Sequence, residues 1–245
     1  MTTHIATLKP EDNHMEEVLS KDAFKRGQLL LELQDWQGAS VIFQNILAQN
    51  ILHIDLDLPQ VYASLGFAHF KQDNYLGAIQ DLREAIRLNA SYADAYYYLG
   101  LCHKKIGDIQ EAIKAFQMSI LQSPNRSNAY FNLGNLFYDS GHPPKATRYF
   151  KEAINQNPEV PAYHFMLANS LDWNNDIKEV ISELEITRRL SPALADIHWF
   201  LGLALCRTEN YENAIASFRK AIAIDPTPLK YHSSLEDALI QISDL

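Results

Sequence analysis

The residues of this chain best suited to catalysis or metal binding are its nine histidines and two cysteines. Imidazole acts as a general base and as a metal ligand, and thiolates hold zinc or act as nucleophiles. Cys102 and Cys206 lie far apart and in no Cys-X-X-Cys pair, which excludes a cysteine-built zinc site and a disulfide framework. The chain contains no HExxH, GxSxG, GxGxxG or Walker A sequence. We therefore predict no active site, no metal and no other cofactor.

Five of the histidines are spaced regularly rather than clustered. His164, His198 and His232 follow one another at intervals of 34 residues, and His69 and His103 show the same interval. Side chains at a constant interval occupy equivalent positions in successive structural repeats, so they do not converge on one point. We expect these histidines to replace aromatic side chains in a helical core.

The same 34-residue interval runs through most of the chain. Leu-Gly pairs stand at 65–66, 99–100, 133–134 and 201–202, and Leu167-Ala168 lies midway between the last two. Twelve positions after the second residue of each pair stands a small or β-branched residue: Ala78, Ala112, Ala146, Val180 and Ala214. Four positions further on stands a large apolar residue: Leu82, Phe116, Phe150, Leu184 and Phe218. A proline stands near the end of four repeats: Pro124, Pro158, Pro192 and Pro226. Apolar residues at three- and four-residue spacing predict two amphipathic helices in each repeat.

This pattern resembles the tetratricopeptide repeat. The fourth copy matches every signature position, with Tyr130, Leu133, Gly134, Phe137, Ala146, Phe150, Ala153 and Pro158. The resemblance implies an all-α fold, a right-handed superhelical solenoid of six helix-turn-helix repeats followed by a C-terminal capping helix. We place the repeats and the capping helix at 20–53, 59–92, 93–126, 127–160, 161–194, 195–228 and 229–245. Residues 11–245 would form a single domain, after a disordered N-terminus at 1–10.

Residue types predict further details of the helices. Asn or Asp at the sixteenth repeat position favours the start of a second helix by accepting a backbone N–H bond: Asp35, Asn74, Asp108, Asp176 and Asn210. The capping helix carries Glu236 where other repeats have glycine, so we expect a polar outer face with no helix packed on it. The first repeat is weaker, with Arg26 where leucine is expected, and the fifth also departs from the pattern, with Ala168, Val180 and Thr187 at signature positions.

Composition narrows the classes of partner and the location. The net charge of −9 at pH 7 disfavours general affinity for nucleic acid, so we predict no nucleic-acid partner. We recognise no signal sequence and no apolar stretch long enough to span a bilayer. We expect a cytoplasmic protein without an integral membrane segment. Peripheral membrane association and a client from a membrane complex stay open.

The resemblance assigns the concave groove of such a solenoid to the first helix of each repeat, mainly at positions 2, 5, 9 and 12. In the run of three tyrosines, this register places Tyr96 in the core, Tyr97 in the groove and Tyr98 beside it. Aromatic rings dominate binding hot spots, and asparagine amides can pair with a peptide backbone. The candidate partner-binding residues are Phe67, Phe70, Tyr97, Leu101, Lys104, Phe131, Asn132, Asn135, Tyr138, Phe165, Asn169 and Trp199.

We therefore expect a non-catalytic protein–protein interaction module that binds a peptide or helical segment of a partner protein in this groove. An assembly factor, chaperone or adaptor fits an apolar groove that shields a client segment. Two alternatives stay open: a permanent scaffold subunit of a multiprotein complex or homo-oligomer, and a regulatory module of an enzyme system. The lysine and asparagine set with which some family members clamp chaperone tails is missing from every three consecutive repeats, so that ligand is not expected.

Overall fold

A computed structural model describes residues 10–48, 56–172 and 176–243 of the chain. All regular structure in these residues is α-helical, which confirms the predicted all-α class. The predicted disordered N-terminus, residues 1–10, lies outside the described residues except for Pro10, at which the first helix begins. Contacts within the chain separate two compact units, Met1–Pro124 and Asn125–Leu245, called unit 1 and unit 2 below.

The described part of unit 1 contains six helices. Each packs against the next along the chain, and the third also contacts the first and the fifth. The bounds are α1 Pro10–Glu32, α2 Trp36–Ala48, α3 Leu58–Lys71, α4 Tyr75–Leu88, α5 Ala93–Lys105 and α6 Ile109–Gln122. The odd-numbered helices are the first helices of helix-turn-helix pairs, and the even-numbered ones are the second.

The described part of unit 2 contains seven helices in the same arrangement. Consecutive helices pack together, and two pairs of first helices, α7 with α9 and α11 with α13, are also in contact. The bounds are α7 Ser127–Asp139, α8 Pro143–Gln156, α9 Pro161–Asp172, α10 Ile177–Leu190, α11 Ala195–Cys206, α12 Tyr211–Ile224 and α13 Leu229–Ser243. The helix-turn-helix pairs are of the predicted kind, while the number of repeats and the single domain stay predictions.

A close helix contact explains the glycine that follows the three tyrosines. Phe116 of α6 is fully buried and lies beneath Gly100 of α5. A Cβ atom at residue 100 would lie 2.8 Å from Cδ1 of Phe116, well inside the separation of about 3.5–4.0 Å at which carbon atoms pack. Glycine therefore lets the buried ring of the second helix meet the backbone of the first.

Three of the five predicted helix caps form. The side-chain oxygens of these residues accept a hydrogen bond from the backbone N–H three residues later: Asp35, Asn74 and Asp108. Asp176 and Asn210 precede α10 and α12 as predicted, but neither side chain caps its helix, so this detail is wrong for both. The Asn210 amide oxygen instead accepts a hydrogen bond from Nδ2 of Asn213, at 2.9 Å.

Five of the turns inside helix pairs, all within the described residues, have a residue in the left-handed region that the sequence pattern does not predict. The backbone φ is positive at the fifteenth repeat position in five turns: Gln34, Asp73, Gly107, Gly141 and Glu209. This region costs a non-glycine residue about 1–2 kcal/mol. Because glycine fills only two of these five positions, composition alone did not locate the turns.

The outer face of α13 is not polar, which corrects the expectation for the capping helix. Glu236 is exposed as expected, but so are Leu239, Ile240 and Ile242, and Leu229 is 84% exposed. The helix packs on α12 and α11 through one face only, where Tyr231 is buried. Apolar residues on its other faces therefore stay in contact with solvent.

Candidate functional site

In unit 1, aromatic side chains of the first helices pack on one another. The rings of Phe67 and Tyr98 have centroids 4.9 Å apart, and those of Phe70 and Tyr98 are 6.0 Å apart. Trp36, at the start of α2, meets Phe67 edge-on at 5.7 Å. Rings at these separations attract each other, and each ring of the cluster shields part of its neighbour from solvent.

The three tyrosines are all partly buried, and two of them, Tyr97 and Tyr98, make ring contacts with neighbouring helices. The ring of Tyr97 lies 5.9 Å from that of buried Phe116 and 5.4 Å from that of Tyr98. Tyr98, which was placed beside the groove, is the ring that joins α5 to Phe67 and Phe70 of α3. The middle tyrosine thus packs over the second helix, and the third one bridges neighbouring first helices.

Lys71 borders the aromatic cluster of unit 1. Nζ of Lys71 lies 5.2 Å from the ring centre of Trp36 and 5.7 Å from that of Phe67, within the range of cation–π attraction. Leu101 and Lys104 of α5 are partly exposed. The aromatic part of this surface therefore has a positive border.

A cavity of about 380 Å³ lies between α1, α3 and α5 of unit 1. Half of its lining residues are polar, and two of them are acidic, Glu32 and Asp94. Nε2 of Gln28 donates a hydrogen bond of 2.8 Å to Oγ of Ser64 across the cavity wall. Phe67 supplies an apolar side of the cavity. This space suits a small polar group better than a run of apolar side chains.

In unit 2, the candidate residues of α7 are held by neighbours of their own unit. The ring of Phe131 lies 5.8 Å from buried Phe150 and 4.8 Å from Tyr163. Nδ2 of Asn132 donates a hydrogen bond of 2.9 Å to the backbone carbonyl of Asn128, one turn earlier. Asn135 and Tyr138 of the same helix are partly exposed.

A second cavity, of about 920 Å³, lies among α9, α11 and α13 of unit 2. Five of its sixteen lining residues are polar. The apolar walls come from residues of the three first helices and the segments before them: Val160, Pro161, Ala162, Phe165, Ala193, Leu194, Ala195, Ile197, Phe200, Ile224 and Tyr231. The rings of Phe165 and Phe200 meet at 5.1 Å on its side, and Asn169 adds an amide. Apolar walls with a few placed polar groups are typical of ligand sites.

Trp199 is fixed by the last helix rather than left open. Its Nε1 donates a hydrogen bond of 3.0 Å to Oγ of Ser234 on α13. Nζ of Lys230 lies 4.3 Å from its ring centre, and the ring of Phe200 lies 4.8 Å away. Trp199 therefore anchors α13, and these contacts reduce the area of its ring that a ligand could touch.

Asp196, Lys230 and Tyr231 form a polar rim on the unit 2 cavity. Oδ1 of Asp196 accepts hydrogen bonds from Nζ of Lys230, at 2.6 Å, and from Oη of Tyr231, at 2.8 Å. The hydrogen bond from Lys230, followed by that from Tyr231, lowers the pKa of the Asp196 carboxyl. Burial, with the hydrogen bond to Asp196, raises the pKa of Tyr231 to about 12. At neutral pH the rim thus holds an ion pair and a neutral phenol.

Two of the regularly spaced histidines are buried side chains that tie helices to the preceding turn. The side chains of His164 and His198 are buried, with 4% and 5% of their surface exposed. Their Nε2 atoms donate to the carbonyl oxygens of Pro158 and Pro192, at 2.8 Å and 2.9 Å. Within the described ranges, no three His, Cys, Asp or Glu side chains are placed to hold a metal ion.

Family models match several stretches of the chain. A model described as TPR repeat matches residues 70–107. One model described as tetratricopeptide repeat matches residues 93–126, and another with the same description matches residues 127–160 and 195–228. These ranges cover just over half of the sequence. The chain belongs to the tetratricopeptide repeat family. Tetratricopeptide repeats are protein–protein interaction modules, and proteins built from them are generally non-catalytic.

Solved structures of tetratricopeptide proteins share the fold at low sequence identity. YrrB, described as a TPR protein with an unusual peptide-binding site, superposes with a TM-score of 0.68 at 20% identity, over 79% of this chain and 97% of YrrB. PilF of Pseudomonas aeruginosa gives 0.74 at 16% identity, over 89% and 97%. MamA gives 0.62 at 20% identity, over 68% and 98%. No match was found among curated proteins.

The tetratricopeptide register brings three of the twelve candidate residues into the two first-helix cavities. Phe67 lines the cavity of unit 1, and Phe165 and Asn169 line that of unit 2. The other nine lie outside these two linings, and binding by any of the twelve stays a prediction. None of the described helices has the length and apolar character needed to cross a bilayer.

Sequence reasoning missed two rings that organise these surfaces, Tyr98 and Phe200. Both occupy the sixth repeat position, where other repeats have Ser64, Asn132 and Met166. An aromatic side chain at a position that is polar or flexible elsewhere was the available signal. The register favoured positions 2, 5, 9 and 12, and at the sixth position only Asn132 is among the predicted binding residues, so these two rings were left out.

Proposed function

We propose that this chain is a non-catalytic adaptor of the cytoplasm that holds an apolar peptide or helical segment of a partner protein in the unit 2 cavity. The role that fits best is that of an assembly factor or chaperone, which shields such a segment before it reaches its final complex. The observation that carries the proposal is a cavity of about 920 Å³ with mostly apolar walls on the first helices.

The chemistry of the cavity suits a segment with large apolar side chains. Phe165 and Phe200 offer ring faces and edges to such side chains, and Leu194 and Ile197 lie on the same wall. The amide of Asn169 can both donate to and accept from a peptide backbone. The volume lies in the range of about 300–1,000 Å³ that is usual for ligand pockets.

Two further observations support a peptide as the ligand. The tetratricopeptide protein YrrB is described as having an unusual peptide-binding site. In the present chain, the rim pair of Lys230 and Asp196 has half-exposed side chains, so it offers both a donor and an acceptor to the flanks of a bound segment. The remaining first-helix candidates, on α3, α5, α7 and α11, form additional contact surfaces in this proposal.

The experiment selects peptides from a random display library on the full chain and measures their affinity for variants. Phe165→Ala with Phe200→Ala removes both rings and should weaken binding by about 2 kcal/mol or more, since buried rings act as hot spots. Phe137→Ala is the matched control, because Phe137 is a partly buried ring that stacks on Tyr149 at 5.3 Å outside the cavity.

Circular dichroism and urea unfolding confirm that each variant is folded before affinities are compared. The proposal is refuted if the selected peptides bind the double variant as tightly as they bind the wild type. An equal loss of affinity in Phe137→Ala would also count against it, because the effect would then not be specific to the cavity.

A permanent scaffold or homo-oligomer is a second candidate, favoured by exposed apolar residues on two helices. Leu19 and Leu29 of α1 and Leu33 directly after it are exposed, as are Leu239 and Ile240 of α13. Exposed apolar side chains on a helix face indicate a contact with another protein surface. Gel filtration with light scattering separates the two: a monomer at micromolar concentration supports the adaptor, and a stable oligomer supports the scaffold.

A further inference from the structure

A second cleft in unit 2, of about 620 Å³, lies on the side of the second helices. Its walls come from α10, α12 and the segment that leads into α11: Ser182, Glu185, Ile186, Arg188, Arg189, Pro192, His198 and Lys220. None of these residues lines the apolar cavity described above. The two spaces are therefore separate surfaces of the same unit.

The charge of this cleft is opposite in sign to that of the whole chain. Three of its lining residues are cations, and one, Glu185, is an anion that pairs with Arg188. Arg189 and Lys220 are exposed, and neither forms an ion pair with another described residue. Since the chain carries a net charge of −9, two uncompensated cations in one cleft form a local site for an anion.

His198 forms part of the cleft wall, and it differs from its counterpart one repeat earlier. His164 uses Nε2 for a proline carbonyl, and its Nδ1 contacts a carboxylate oxygen of Glu183 at 2.6 Å. His198 uses Nε2 in the same way, with Pro192. At the position equivalent to Glu183 the sixth repeat has Ser217, whose hydroxyl donates to the carbonyl of Asn213.

The sixth repeat thus has no carboxylate at the position equivalent to Glu183, and its histidine, His198, lines a cationic cleft. Ser217 lies three residues before Lys220 on α12, so the vacant position and the lysine are on the same face of that helix. A carboxylate entering from solvent would take the place that Glu183 takes in the preceding repeat. It would also meet Lys220, and a guanidinium such as that of Arg189 binds carboxylates in a planar, two-bond geometry.

We propose that this cleft binds an acidic peptide segment of a protein partner, with one carboxylate at His198 and Lys220 and another at Arg189. The inference rests on the proposed function only in taking the partner to be a protein. The volume of the cleft matches a short segment rather than a single ion, and Ile186 and Pro192 offer apolar wall to the aliphatic parts of its side chains.

The test uses the full chain and a fluorescent, terminally blocked peptide of alternating Glu and Ala residues. A peptide with Gln in place of every Glu is the uncharged probe. We expect the acidic peptide to bind and the Gln peptide to bind at least about tenfold more weakly. The affinity of the acidic peptide should fall as salt rises from about 0.05 M to about 0.5 M, because exposed charges are screened.

Charge reversal locates the site. Arg189→Glu with Lys220→Glu should weaken binding of the acidic peptide by about tenfold or more. Arg148→Glu with Lys178→Glu, two exposed residues of the same unit outside the cleft, changes the net charge by the same amount and should weaken it by less than about twofold. Equal losses in both double variants would overturn the proposal, since the attraction would then be general.

A single substitution tests the position beside His198. Ser217→Glu places a carboxylate where the fifth repeat has Glu183, so it should compete internally and weaken binding by about tenfold without changing the helix content. Unchanged affinity in this variant would overturn the assignment to His198. Competition by inorganic phosphate at the same concentration as the peptide would also overturn it, because the site would then take a lone anion.

The outcome is independent of the apolar cavity. Phe165→Ala with Phe200→Ala should leave the affinity for the acidic peptide unchanged, because neither ring lines the cleft. A loss of apolar-peptide binding with intact acidic-peptide binding would therefore separate a result about the cavity from a result about the cleft.

Discussion

The first helices of the two units carry similar aromatic residues but form different surfaces. In unit 1, Trp36, Phe67 and Tyr98 pack ring against ring, and the cavity beside them has about 380 Å³ and carries two carboxylates. In unit 2, Phe165 and Phe200 stand at the side of a cavity of about 920 Å³ with mostly apolar walls. Aromatic content alone therefore does not mark a binding surface; what decides it is whether neighbouring rings cover one another.

Within unit 2, the second helix of the fifth repeat also differs from that of the fourth. Phe116 of α6 and Phe150 of α8 each lie beneath the first-helix ring at the fifth repeat position. In the fifth repeat the equivalent residue is the smaller Leu184, and Phe165 makes its ring contact with Phe200 of the next first helix instead. The fifth repeat, which departs from the family pattern, thus contributes a wall of the larger cavity.

The largest expected effect tests whether the buried second-helix ring belongs to the fold of unit 1. Phe116→Ala should destabilise the protein by about 3–5 kcal/mol, because it leaves a cavity beneath Gly100 and removes the support of Tyr97. Urea unfolding followed by circular dichroism measures the change. A loss below about 1 kcal/mol would contradict the packing described for this unit.

The next effect compares the two rings at the sixth repeat position. Tyr98→Ala should cost about 1–2 kcal/mol of stability, since two ring contacts and apolar burial are lost, with little change in affinity for the selected apolar peptides. Phe200→Ala should lower that affinity by about tenfold. If Tyr98→Ala reduces affinity as much as Phe200→Ala does, the contrast between the units fails.

A smaller effect concerns the contact between Trp199 and the last helix. Trp199→Phe keeps an aromatic ring but removes the hydrogen bond to Ser234, so it should cost about 0.5–1.5 kcal/mol. Ser234→Ala should give a similar value, and the double variant should add little, because both changes remove the same bond. Additive losses in the double variant would show that the two side chains act separately.

The last prediction concerns a loss of stability at high pH that is caused by ionisation of Tyr231 at the cavity rim. Its pKa is raised to about 12 in the folded state, so its contribution to stability is complete below its unfolded value of about 10 and is lost as pH rises through about 12. The midpoint of thermal unfolding should therefore fall between pH 9 and 12, and it should fall less in the Tyr231→Phe variant than in the wild type.

The fold was largely predictable from the sequence, since a helix pair and its buried small and large residues leave a strict 34-residue trace. Gly100 and Phe116 show why: the close approach of two helices permits few residue types. The caps at Asp176 and Asn210 were not predictable, because an Asx side chain at a helix start has other partners within reach. The polar outer face expected for α13 rested on Glu236 alone and overlooked the leucine and isoleucines around it.

The candidate site was less predictable than the fold. A register assigns a side chain to a helix face but does not say whether a neighbouring ring covers it. Phe165 and Asn169 line the unit 2 cavity, whereas Phe131 packs on Phe150 and Tyr163, and Trp199 is bound to α13, so binding by these residues stays a prediction. The wall formed by segments between helices, such as Leu194, depends on how far neighbouring first helices stand apart, which no local pattern encodes.

Methyl NMR of the full chain with a library-selected apolar peptide tests the central claim most directly. Ile197 and Ile224 line the unit 2 cavity, and their methyl groups report on binding there. Ile46 and Ile79 are buried in unit 1, and their methyl groups report on binding to that unit instead. The account predicts that peptide addition shifts the methyl signals of Ile197 and Ile224 and leaves those of Ile46 and Ile79 in place. Saturable binding that shifts the unit 1 methyls and leaves Ile197 and Ile224 unchanged would contradict it.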